Sequence, residues 1–130
     1  MLPLSLVGIA CGGSSLPEAL RDGREVYGDV CSTCHGNRGQ GGVGPELSGV
    51  LETWPTCEQH QEWIALGSER WKDEHGLTYG ATDKAITKVM PEHEGRLSAR
   101  EIAAVAAFER VEYGGGDTDV VLADCGLTTP

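Results

Sequence analysis

Hydrophobic positions along this chain fall into short stretches of helical spacing, with no sustained alternation of period two. Gly23, Val26, Tyr27 and Val30 stand at i, i+3, i+4 and i+7, one face of a helix running from about Glu18 to Cys34. Gly36 to Gly44 is glycine-rich and must be loop; it lacks the Gly-Lys-Ser/Thr ending of a phosphate-cradling loop. A second helix is expected from about Cys57 to Gly67, capped by Thr56 and burying Trp63, Ile64 and Leu66. Trp71 to Gly80 reads as irregular. A short helix is expected from about Asp83 to Val89, ending at Met90-Pro91 because the residue before proline disfavours helix. The last helix is the clearest. Ser98-x-x-Glu101 is a capping box, Ile102 to Phe108 is alanine-rich, and Gly114-Gly115-Gly116 stops it. Val105, Phe108 and Val111 step along one side of it. The one candidate strand is Val120-Val121-Leu122. The pattern predicts an all-α fold of about four or five short helices.

At 130 residues the chain is one domain by size. Three Trp, three Tyr and one Phe against 19 Gly make a thin core, which a buried apolar cofactor would fill. The formal net charge of −10 argues against nucleic-acid binding, which needs a basic face. Acidity suits docking onto a basic partner, or simply solubility. Residues 1–10 are apolar, too short to span a bilayer, and run into Cys11-Gly-Gly-Ser-Ser15. They read as a signal or lipobox remnant, with Cys11 as a lipidation site, residues 11–21 as a tether and 22–130 as the domain, including a tail over 114–130. Two features depart from that pattern: no Lys or Arg precedes the apolar run, and Gly8 stands where a lipobox usually has Leu. A cleaved signal and an unprocessed stub are the alternatives.

Candidate chemistry centres on Cys31-Ser32-Thr33-Cys34-His35, a C-x-x-C-H attachment site for a c-type haem. Two thiols three residues apart lie on one turn of helix and can each add to a haem vinyl group, leaving His35 beneath the iron. A zinc site would want a second ligand pair, and a thiol redox motif a βαβ context; the sequence has neither. Such attachment occurs outside the cytoplasm, where the leftover pair Cys57 and Cys125 suggests a disulfide; two buried free thiols are the alternative. The second axial ligand is expected from Met90, His60, His75 or His93. Met90 is favoured because Pro91 and a nearby helix start fix its loop, and its thioether would raise the potential. His93 is the main rival, while His60 and His75 read as solvent-facing.

Gly23-Arg-Glu-Val-Tyr27, Cys31-Ser-Thr-Cys-His-Gly36, Gly39-Gln-Gly-Gly-Val-Gly-Pro-Glu-Leu47, Val89-Met-Pro91 and Leu97-Ser-x-x-Glu-Ile102 succeed one another in order. With these marks the chain resembles the single-haem class I cytochrome c family over roughly Asp22 to Gly114. The resemblance implies a cytochrome c-like fold around one covalent haem, with thioethers at Cys31 and Cys34, and His35 and Met90 as axial ligands. Pro45 would accept the His35 imidazole bond through its carbonyl, and Gly23 and Tyr27 would cross Phe108. Trp63 and Tyr79 would line the haem or serve as ordinary core. Leu51 to Lys88 matches the family only loosely. The implied function is one-electron transport, not catalysis, between partners such as a quinol-oxidising complex and a terminal oxidase or reductase. The setting is the periplasm or outer membrane face, with a lipid on Cys11 as membrane anchor. An open-site haem protein, using His93 or Arg96 near the iron, and a haem subunit of a larger oxidoreductase are the alternatives.

Overall fold

The computed structural model describes residues 16–128. The expected signal or lipobox remnant, the lipidation site Cys11 and residues 11–15 of the expected tether lie outside the described residues; residues 18–21 of that tether are instead the first turn of a helix, with Ala19 and Leu20 buried in the core. Helix α1 (Glu18–Val26) passes through a π-helical turn (Tyr27–Cys31) into α2 (Ser32–His35). The long helix predicted from sequence is therefore continuous in path but not in register. The wider turn rotates the residues after it about the helix axis. Val30, expected on the buried face, is exposed, and Cys31 takes the inward place instead.

Helix α1 packs across α5 (Ala99–Glu112). A Cβ on Gly23 would collide with the carbonyl of Ala104 and stand 2.8 Å from the Cβ of Phe108. Glycine is what lets the two backbones come this close. Tyr27 then packs on Phe108 and Tyr113, with ring centroids 5.7 and 5.1 Å away. Helix α5 begins at the expected box: Ser98 Oγ accepts from the Glu101 N–H and the Glu101 carboxylate accepts from the Ser98 N–H.

Between them stand α3 (Val50–Thr53), a single turn the sequence did not announce, and α4 (Cys57–His75). Thr56 and Gln59 cap α4 reciprocally. The helix does not end at Gly67. That residue adopts φ 70, ψ 178, which turns the axis, and the helix resumes through His75. The irregular stretch thus shortens to Gly76 through Gly80. The helix expected over Asp83 to Val89 is absent. Tyr79 N–H donates to Lys84 O at 2.9 Å and Ile86 N–H to Leu77 O at 2.8 Å, closing a paired turn whose β-branched Thr82, Ile86 and Thr87 suit extended backbone. The candidate strand Val120–Leu122 lies within α6 (Thr118–Asp124), capped by the Asp117 carboxylate on the Val120 N–H. Val121 and Leu122 are buried and Cys125 is bonded to Cys57, so the tail is packed onto the domain. Among the described residues there are isolated β-bridges but no strand, and no helix long and apolar enough to cross a membrane.

Candidate haem-binding site

The site is built from two ends of the chain's loop system. At one end, the π turn and α2 deliver Cys31, Cys34 and His35. Both thiols are free, Cys31 buried and Cys34 half-buried. Burial, with the Glu109 carboxylate and Cys34 adding, pushes the Cys31 thiol up to about 12. His35 is 9% exposed. Its Nδ1–H donates to the Pro45 carbonyl at 2.9 Å, which fixes the tautomer and leaves Nε2 as the free donor atom. The glycine-rich loop brings Pro45 back by bonding to this helix: Gly41 N–H donates to His35 O and Gly44 N–H to Cys34 O, both at 2.8 Å. Tyr27 closes the turn, its hydroxyl donating to Gly36 O at 2.6 Å. Burial and the nearby Tyr113 and Glu109 raise the Tyr27 hydroxyl well above its ordinary range.

At the other end stands Met90. Gly67 faces it so closely that a Cβ there would lie 2.6 Å from Met90 O and Glu92 N. Ser68, fully buried, holds Met90 on both sides: its N–H donates to Met90 O at 2.9 Å and its Oγ accepts from the Met90 N–H at 3.0 Å. A glycine inside a helical run followed by serine was the available signal for this clamp.

An apolar cavity of about 240 Å³ lies between, lined by Cys34, His35, Pro45 and Met90, with Val50, Trp54, Trp63 and Tyr79 on its walls. Trp63 and Tyr79 therefore face the cavity rather than only the core. Trp54, which sequence reasoning did not single out, joins them. Lys84 and Lys88 also line it, with Glu46 as the one carboxylate, so its lining is less acidic than the chain as a whole. Of the rival ligands, His93 is buried, donates its Nδ1–H to Ile64 O at 3.3 Å and does not line the cavity. His60 was expected in solvent but is 2% exposed, with Nε2 2.9 Å from the Glu109 carboxylate. It shares the inward stripe of α4 with Cys57, Trp63 and Ile64, which overrides its polarity. His75 is exposed, stacked on Trp71. Cys34, His35 and Met90 line one apolar cavity, and Cys31 lies buried three residues before Cys34; one thiol, an imidazole and a thioether on the lining, with a second thiol close by in the chain, are a donor set that fits a covalent haem.

A single-haem c-type cytochrome domain is the class that this fold and site define. The family model "Cytochrome C oxidase, cbb3-type, subunit III" matches residues 18–108, and the chain belongs to that family. The family implies covalently bound haem c. Among solved structures, c-type cytochrome XoxG from Methylobacterium extorquens AM1 is similar at TM-score 0.53 and 18% identity, covering 83% of this chain and 67% of its own. Cytochrome cL from Hyphomicrobium denitrificans is similar at TM-score 0.47 and 26% identity, covering 71% of this chain. The chain spans 46% of the length of cytochrome cL. No curated protein sequence matches the chain.

Proposed function

We propose that the chain holds one haem through thioethers at Cys31 and Cys34 and axial bonds from His35 and Met90, and that it carries single electrons between membrane redox complexes. The observation that carries this reading is the shared cavity: His35, its ring fixed by Pro45, and Met90, its backbone clamped by Ser68, both line it. Bound haem supplies a one-electron couple. Around it, the protein's work is to keep both axial side chains in place in either oxidation state, so that little rearrangement accompanies each transfer. The apolar walls exclude water, and a thioether ligand raises the potential. Brief, small contacts at the cavity mouth suit turnover with partners.

A quinol-oxidising complex and a terminal oxidase or reductase are the partners of this reading. Its setting is the outer face of the membrane or the periplasm, with residues 1–10 as signal or lipobox remnant, a lipid on Cys11, a tether that ends where α1 begins, and the domain from Glu18 onward. The family's description favours a second reading, in which the chain is a haem subunit of an oxidase; co-purification with a membrane complex supports it over the free carrier. The open-site reading loses support because His93 is turned to the Ile64 carbonyl.

Optical spectra of the oxidised and reduced protein, with carbon monoxide then added, test the ligation. A low-spin spectrum with the sulfur-to-iron band, unmoved by carbon monoxide, is expected. Met90→Ala abolishes that band and admits carbon monoxide; an unchanged band removes Met90 as ligand. Labelling with a radioactive fatty acid in wild type but not in Cys11→Ser tests the anchor.

A further inference from the structure

All three tryptophans stand in one group that begins at the haem cavity and ends at a second surface recess sharing no lining residue with it. Trp54 and Trp63 line the cavity and stack on each other with centroids 5.0 Å apart. Trp71 meets both edge-on, at 5.0 and 5.8 Å. It does not line the haem cavity, and it is 6% exposed. Its ring stacks on His75 at 4.1 Å, with 30° between the planes. His75 closes α4, with its side chain 37% exposed, beside a surface recess that Trp71 also lines. Edge-on and offset packing accounts for stability in such a cluster. It does not account for a buried row whose last member is a surface imidazole.

The charge at that end differs from the charge at the mouth. His75 Nε2 lies 2.7 Å from a Glu62 carboxylate oxygen, and the Glu74 carboxylate reaches within 4.8 Å of both. The C-terminus of α4 adds its own partial negative charge. At the cavity stand two lysines, Lys84 and Lys88, and one carboxylate, Glu46.

We propose that the row Trp63–Trp71–His75 is a second electron port, leading from the haem to an acidic surface that receives a redox protein with a basic docking face. The proposal rests on the reading that the haem lies in the cavity between His35 and Met90. Electronic coupling decays exponentially across gaps between orbitals, and rings in contact remove the gaps. One electron leaves the reduced haem and the bound acceptor gains it; no proton moves and no covalent bond changes. The carboxylates steer a cationic face to His75 and repel an anionic one. Donor and acceptor can then dock on different faces, one at the mouth and one at His75.

Three measurements on the haem-loaded chain test this. Hexaamminechromium(III), a paramagnetic cation that exchanges no electrons here, broadens the proton resonances of His75 before others; broadening centred elsewhere overturns the proposal. Oxidation by tris(phenanthroline)cobalt(III), a cation, is compared with oxidation by ferricyanide, an anion. Glu62→Gln with Glu74→Gln slows the cobalt reaction about tenfold and does not slow ferricyanide. Equal effects on both oxidants, or none, overturn it. Finally, His75 is the one exposed histidine of four, so a ruthenium polypyridyl label attaches there selectively. Photo-initiated transfer between label and haem slows several-fold in Trp71→Leu. If that variant does not fold, Trp71→Phe decides, because its smaller ring opens a gap in the row; an unchanged rate refutes the port. A chain that lacks a haem spectrum, or reacts with neither oxidant, fails the underlying reading instead.

Discussion

Ser68→Ala separates the clamp on Met90 from the rest of the fold. The Ser68 hydroxyl accepts from the Met90 N–H at 3.0 Å, and its own backbone N–H donates to Met90 O at 2.9 Å. Alanine keeps the second bond and deletes the first, leaving the Met90 N–H without a partner at a half-buried site. An orphaned donor there costs about 1–3 kcal/mol. The cost falls on the loop that carries the proposed ligand. The equilibrium between methionine on and off the iron therefore shifts about tenfold for every 1.4 kcal/mol lost. The assay tracks the sulfur-to-iron band and the far-ultraviolet circular dichroism together through a denaturant titration. The band is expected to vanish at lower denaturant in Ser68→Ala than in wild type, well before the helices melt, and the reduced variant should admit carbon monoxide. If band and helices are lost together at the wild-type midpoint, the clamp plays no part in holding Met90.

Opening the Cys57–Cys125 bond by a double serine substitution releases a loop with a sequence separation of 68, worth about 4 kcal/mol on the chain-entropy model. Equilibrium unfolding in urea measures it, and an unchanged midpoint contradicts the estimate. Tyr27 gives a pH dependence. Its folded hydroxyl ionises above its unfolded value, so the stability it lends is complete below the ordinary tyrosine range and is lost as pH rises through it. Wild-type unfolding free energy should therefore fall above about pH 10, and Tyr27→Phe should flatten that fall. At neutral pH the same variant loses about 1 kcal/mol with the bond to Gly36 O. Matching pH profiles would place the alkaline sensitivity elsewhere.

Local rules read well wherever the chain announces them. The caps at Thr56 and Ser98, the glycine stop after α5 and the C-x-x-C-H on a helix are each decided by side chains within four residues, and the structure obeys them. Reading fails where the decision is made at long range. The π turn swaps Val30 for Cys31 because α5 packs against α1 and fixes which residues face inward. His60 lies on the inward stripe of α4, but the Glu109 carboxylate that meets it comes from another helix, a pairing 49 residues distant that no spacing rule shows. Asp83 to Val89 has helical composition in part, but its backbone is paired with Leu77 and Tyr79 instead. The site divides in the same way. The haem-attachment residues are local, while Trp54 and the Ser68 clamp come from tertiary packing.

The tail beyond Gly114 then has a physical role that connects it to the cavity. Asp124 accepts from the Cys57 N–H at 2.8 Å, supplying an acceptor to the first turn of α4 from a segment far along the chain. The same carboxylate lies 3.9 Å from the guanidinium of Arg110, which is 4% exposed. Burial lowers the Arg110 pKa while the nearby Asp124 charge partly offsets it. A buried cation is held by acceptors, and here the carbonyls of Trp54 and Pro55 accept from its two terminal nitrogens at 2.7 and 3.3 Å, while its Nε has no partner. Trp54 is a wall of the haem cavity and stacks on Trp63, the first ring of the proposed port. The disulfide and Asp124 thus hold the tail against Arg110, and Arg110 holds the backbone that sets the Trp54 ring. A tail that would otherwise be an appendage fixes the wall across which the proposed second port begins.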